Sequence, residues 1–277
     1  MADGKTSEWS PAVKFTTLGE GEMVLFDDAD NQNEIEQNNG NEVNVTLQGR
    51  TLCKDGNWNT LCLPFSMTAA QIAANTDFAG ATLMTLDLDE TKRNGFDTTD
   101  GTLYLSFKTA TEIEAGVPYL VKWKKAADYD ANPSAYDIVN PVFDGVTIHN
   151  TPAQTVEAAT SDLKLVQMIG TYSPFSLTAN DKSILYLGKA NKLYYPSADF
   201  QIHSCRAFFS VPYIKGNPEA QARAFALNFD AEDTGIETIS TPSNPSNLYF
   251  TLDGLRLSRK PTQRGLYILN GQKTLIK

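Results

Sequence analysis

Across 277 residues only Thr68–Thr76 (Thr-Ala-Ala-Gln-Ile-Ala-Ala-Asn-Thr) carries a helical pattern of two turns or so, opened by a threonine able to cap it. Pro218–Arg223 offers at best a second short turn. Almost everything else alternates with period two, or sets β-branched and aromatic residues between turn signals. Strands are expected at Val43–Leu47, Thr60–Phe65, Thr82–Leu88, Thr102–Lys108, Pro118–Trp123, Lys164–Thr171, Ser183–Leu187, Lys192–Tyr195, Arg206–Val211 and Ala222–Phe229. In Val43-Asn44-Val45-Thr46-Leu47 the apolar residues share one face and Asn44 and Thr46 the other, the mark of a half-buried strand. Many short strands between turns predict an all-β fold with a β-sandwich-like body.

The turns agree with this. Asp55-Gly56 lies between Thr51-Leu52-Cys53 and Trp58-Asn59-Thr60 and predicts a tight hairpin; Asp100-Gly101, Asp253-Gly254 and Asn270-Gly271 repeat the device. Ser240–Asn247 (Ser-Thr-Pro-Ser-Asn-Pro-Ser-Asn) reads as a linker unable to pack a core. Beyond it, Leu248–Leu252, Gly265–Leu269 and Lys273–Ile276 form a small C-terminal β unit. A second boundary falls near Gly19–Gly21, where a β-like start gives way to an acidic, amide-rich loop. The division is residues 1–19, a main β domain at 20–239, a linker at 240–247 and the terminal unit at 248–277. Within the body, Pro64-Phe65-Ser66-Met67-Thr68-Ala69 recurs as Pro174-Phe175-Ser176-Leu177-Thr178-Ala179. Two related β halves explain the recurrence; so does chance similarity of short β stretches.

Charge narrows the partners. With 23 Lys+Arg against 33 Asp+Glu the chain carries a formal −10, and an acidic surface with no basic stripe repels phosphate backbones and anionic lipid. Nucleic acid is therefore not an expected partner. No apolar run is long enough to insert into a membrane as a helix. Three cysteines, Cys53, Cys62 and Cys205, are too few for a disulfide scaffold and leave at least one unpaired.

Three segments carry resemblances. Ser7-Glu8-Trp9-Ser10-Pro11-Ala12-Val13-Lys14-Phe15-Thr16-Thr17 resembles the final strand of a fibronectin type III-like domain, which implies that residues 1–19 end a preceding module. Val45–Leu52, Trp58–Phe65, Ala115–Lys122, Gly170–Pro174 and Cys205–Phe209, in that order, resemble a β-rich, adhesin-like module of secreted and cell-surface Bacteroidetes proteins. Tyr249–Leu257, Lys260–Ile268 and Lys273–Lys277 are similar to the C-terminal sorting-type tails of exported proteins from the same bacteria. Together they imply an extracellular or outer-surface location, and a non-catalytic structural or adhesive module whose partner is an extracellular protein or glycan. A carbohydrate-binding accessory module is the alternative.

No motif announces catalysis. His-Glu-x-x-His, Gly-x-Ser-x-Gly and a phosphate-cradling glycine loop are all missing, and His149 and His203 alone give a triad little to draw on. Nothing singles out a carboxylate pair for glycoside hydrolysis. Trp58, Trp123, Tyr194 and Tyr195 would stack on sugar rings if exposed, although large aromatics more often fill cores; on a strand, Tyr194 and Tyr195 face opposite sides, so one at most is a platform. Asp27, Asp28 and Asp30 sit in a run of hard oxygen ligands that could hold Ca²⁺, yet the run lacks the glycine and bidentate glutamate of an EF-hand, and a solvated acidic linker is the preferred reading. No other cofactor is expected. His203 and Cys205 share one strand face, as two metal ligands would, with no second pair in sight. Cys62 and Cys205 are the preferred disulfide pair, with buried free thiols as the other reading.

Overall fold

The computed structural model describes residues 21–217 and 219–229, apart from the side chain at 189, and beyond them the backbone of strands Glu232–Thr238, Tyr249–Phe250, Arg256–Leu257, Gly265–Leu269 and Gln272–Ile276. The protein is all-β: strands in several sheets, with only short helices. Each expected strand of the body forms, usually trimmed by a residue or two at its ends. Residues 1–19 and the linker at 240–247 lie outside the described residues.

The central sheet runs in the order Glu232–Thr238, Ala224–Phe229, Thr102–Ala110, Thr82–Leu86, Pro118–Lys122, Asn59–Cys62, with Gly95–Phe96 paired to Thr102–Ala110. Both of its faces are buried. Leu61, Leu83, Tyr119, Val121 and Trp123 pack on a three-stranded sheet of Glu22–Phe26, Glu42–Gln48 and Val142–Thr147, through Met23, Leu25, Val45 and Phe143. Met84, Leu86, Leu105, Phe107 and Leu120 meet Val166, Met168, Leu185 and Phe209 of a third sheet, ordered Thr155–Ala158, Val166–Thr171, Arg206–Ser210, Ile184–Leu187, Leu193–Tyr194. The body is thus a three-layer stack of sheets, one layer more than a simple sandwich.

The recurring motif sits in two sheets of one topology. In the first half, successive strands Asn59–Cys62, Thr82–Leu86, Thr102–Ala110 and Pro118–Lys122 lie first, third, fourth and second across the sheet, all antiparallel. In the second, Val166–Thr171, Ile184–Leu187, Leu193–Tyr194 and Arg206–Ser210 take the same order and sense. The register matches as well. When Pro64 is placed on Pro174, Leu61 falls on Thr171, and their cross-strand partners are Tyr119 and Arg206. In each half the pairing breaks around the motif proline and resumes in unchanged register, at Met67↔Ile113 and at Leu177↔Phe200. The two halves thus share a strand order and an interrupted register, as two related halves would.

Local departures have local causes. Thr68 caps a helix at Ala69–Ala74 through a reciprocal capping box with Gln71. A helix also forms at Gln32–Gln37, where the sequence reads as loop, and the strand Glu22–Phe26 stands where that loop was expected to begin. A helix with proline in its first turn forms at Pro212–Gly216, and where the short turn was expected to begin the Ala220 amide donates to the Asn217 carbonyl at 2.8 Å. Gly56 takes the positive φ of a tight turn (84°). Its flanks nevertheless pair elsewhere, Thr51–Leu52 with Ile138–Val139 and Asn59–Cys62 with Pro118–Lys122. The Asn59 amide ties them, bonding the backbone of Cys53 in both directions at 3.0 and 2.9 Å. At the C-terminus Gly265–Leu269 pairs with Gln272–Ile276 in the register of a two-residue hairpin, Leu269↔Gln272.

Candidate functional site

The second half opens where the first stays closed. Pairing between Ile184–Leu187 and Arg206–Ser210 stops after Leu185↔Phe209, while Tyr186 and Leu187 continue to pair along their other edge with Tyr194 and Leu193. A groove of about 280 Å³ occupies the split, lined by Tyr186 and Leu187 on one strand, Arg206 and Ala207 on the other, Phe200–His203 at the rim and Thr60 from the first half. Its size matches the smaller end of ligand pockets, about 300–1,000 Å³.

One wall is aromatic. Tyr186 stands edge-on to Phe200 with ring centroids 5.0 Å apart, and Tyr194 stacks on Tyr186 at 5.9 Å and 28°. Gly188 makes room for Tyr194: a Cβ there would come within 2.7 Å of two carbons of the ring. Phe200 is 36 % exposed, and Phe175, stacked on Phe208 just beyond, is 41 % exposed.

The opposite end is polar and tightly tied. The loop after Glu22–Phe26 inserts into the interruption of the second half's pairing, where Asn31 donates to the Tyr172 carbonyl (3.0 Å) and the Ser204 amide to the Asp27 carbonyl (2.7 Å). This delivers the buried Asp27 carboxylate to Arg206, whose Nη2 donates to both oxygens at 2.8 and 2.7 Å, and to His203, whose Nδ1 lies 2.9 Å from Oδ2. Behind the wall Arg50 is fully buried. One of its Nη atoms donates to the Thr60 carbonyl at 2.7 Å, while Nε and the other Nη find no acceptor among the described residues.

Several expected site residues serve the fold instead. Trp58, Trp123 and Tyr195 are 5, 4 and 7 % exposed and belong to the cores, so they are no sugar platform. Trp58 stacks on Phe229, Trp123 meets Phe78 edge-on, and the Tyr195 hydroxyl donates to the Ala222 carbonyl. Tyr194, on the other strand face, is the one of the four that nears the groove, by stacking on the lining residue Tyr186. The three acids proposed for Ca²⁺ do not assemble a site. Asp27 is taken up by Arg206 and His203, and Asp28 is exposed. Asp30 accepts from Ser173 Oγ and the Gln32 amide, which lower its carboxyl below the usual range. Among the described residues no three His, Cys, Asp or Glu side chains gather as metal ligands; His203 points to Asp27 while Cys205 is buried in the core. Cys62 and Cys205 do meet across the halves, the Cys62 amide donating to the Cys205 carbonyl at 3.2 Å, but as free thiols. Burial pushes both thiols up, Cys205 to about 12, which removes them as nucleophiles.

Tyr186, Phe200, Gln201 and the cationic role of Arg206 escape a reading of the sequence alone. A comparison of Tyr119 with Arg206, register for register, is the signal that could have found them. No family model, curated protein or solved structure matches this chain.

Proposed function

We propose that this chain is a non-catalytic adhesion module of a larger exported or cell-surface protein, and that it adheres by holding a glycan in the groove of the second half. The observation that carries the reading is a groove in a split sheet that is lined by the aromatic rings of Tyr186 and Phe200 together with His203 and Arg206, the two partners of the Asp27 carboxylate. The C–H face of a pyranose is slightly positive and rests well on the negative face of an aromatic ring, while its hydroxyls need directed polar partners. The exported location rests on the adhesin-like and sorting-type resemblances. Absence of catalysis fits a cluster whose carboxylate is already committed to a guanidinium, and thiols that burial keeps protonated.

A glycan array probed with the full chain and with Tyr186→Ala tests this. Retention of a defined set of glycans, weakened on the order of tenfold or more in Tyr186→Ala, is the expected result. Retention of nothing, or equal retention by both proteins, removes the proposal.

A further inference from the structure

Resting on the glycan reading, we infer that His203 and Arg206, locked by Asp27, recognise a pair of hydroxyls on adjacent ring carbons. Asp27 is the positioning residue of this anchor. Its carboxylate accepts from Arg206 through both oxygens, so it has no proton to offer His203. The proton in the 2.9 Å contact therefore sits on Nδ1 of the histidine. On the neutral ring this leaves Nε2 as an acceptor, carried by a side chain that is 46 % exposed and lines the groove.

Arg206 is held in a complementary state. One Nη is occupied by Asp27, Nε is buried without a partner, and the other Nη makes no hydrogen bond among the described residues. His203 and Arg206 both line the groove, which thus presents one acceptor and one donor, both tied to the same carboxylate. A hydroxyl donates and accepts. Two neighbouring hydroxyls satisfy the pair in full, the first donating to Nε2 of His203 and the second accepting from Arg206. A carboxylate cannot do this, since it has no proton for Nε2. Tyr186 and Phe200 then take the ring face behind the diol.

The fold explains why this anchor exists in one half alone. Carried through the shared register, His203 stands where the first half has Gly116, and Arg206 where it has Tyr119. In the first half that gap is closed by the Gly116 amide donating to the Leu63 carbonyl at 2.8 Å. In the second half the Asp27 loop fills it instead and carries the carboxylate in.

The test uses the full chain and the methyl glycosides of glucose, galactose and mannose, each with derivatives lacking one or both hydroxyls of every adjacent pair. Binding is followed by saturation-transfer NMR. Loss of either hydroxyl of one adjacent pair is expected to weaken binding on the order of tenfold or more, because a desolvated donor or acceptor is left unpaired. Asp27→Asn is expected to weaken the parent glycoside similarly while flattening the difference between parent and deoxy forms. Because Asp27→Asn can also disturb folding, a second measurement stands apart from it. Long-range ¹H–¹⁵N spectra of the unliganded chain, with His149→Gln to assign the signals, should show His203 protonated on Nδ1. A proton on Nε2 overturns the inference. So does Tyr186-dependent binding that tolerates loss of every adjacent pair, an outcome that leaves the adhesion reading standing. If no glycoside or glycan binds at all, both fall.

Discussion

Phe65 and Phe175 occupy the same place in two sheets of one design, yet Phe65 has no exposed surface and Phe175 is 41 % exposed. The contrast extends along the motif. Ile113 is buried where Phe200 is at the surface, and Tyr119 is buried where Arg206 reaches a groove. The cause lies outside either half. A three-stranded sheet covers the first half's outer face, whereas among the described residues the second half's is covered by its own short strand pair of Phe175–Leu177 and Phe200–Ile202. A face released from packing is free to carry cations and aromatics in the open, and here it does. One half was kept as core and the other became a surface.

Matched substitutions can break this comparison. Phe65→Ala should cost about 3–5 kcal/mol, the usual loss for a fully buried phenylalanine. Phe175→Ala should cost under about 1 kcal/mol, as exposed positions do. Chemical denaturation of both variants decides; equal losses would mean that the second face is covered after all.

Next in size is the joint between the halves. A Cβ at Gly170 would lie 2.5 Å from the Cys62 sulfur and 3.2 Å from its Cβ, deep in the interior. Gly170→Ala should therefore destabilise by about 1–3 kcal/mol through overpacking. Its counterpart by register, Thr60, lines the groove; Thr60→Ala should stay within about 1 kcal/mol. Thermal melts that rank the two in reverse would show that the register equivalence has no energetic meaning.

The smallest pair is Thr68 and Thr178. Thr68 caps a helix through its hydroxyl, while Thr178 opens only a turn in which Asp181 donates to its carbonyl at 3.2 Å. Thr68→Ala should cost about 1 kcal/mol, and Thr178→Ala less than about 0.5 kcal/mol. Equal costs in a denaturant titration would point to a capping role for Thr178 that its geometry does not offer.

How far the sequence carried these conclusions differs between fold and site. Strands such as Glu42–Gln48 and Pro118–Lys122 were legible because local alternation and turn residues dictate them. Their partners were not. Asp55-Gly56 suggested a hairpin, but its flanks pair at long range, Thr51–Leu52 with Ile138–Val139 and Asn59–Cys62 at the edge of the central sheet with Pro118–Lys122. The strand Glu22–Phe26 was missed because it joins its sheet in parallel, and parallel pairing leaves no hairpin signal in the chain. The motif repeat hinted at two halves, and shared strand order turned the hint into a finding. The site was least legible of all. Trp58 and Trp123 looked like platforms because they are large, and for the same reason they fill cores. Asp27 and His203 attracted notice for different roles and Arg206 for none, and only the fold brings them together from positions so far apart in sequence.

Hydrogen exchange with and without a retained glycan tests the central claim, that the uncovered face of the second half is the binding face. Amides of Ile184–Leu187 and of residues 200–207 should slow on binding, while the equivalent segments of the first half, residues 63–67 and 113–119, should exchange as before. Slowing confined to the first half, or to neither half, would contradict the account.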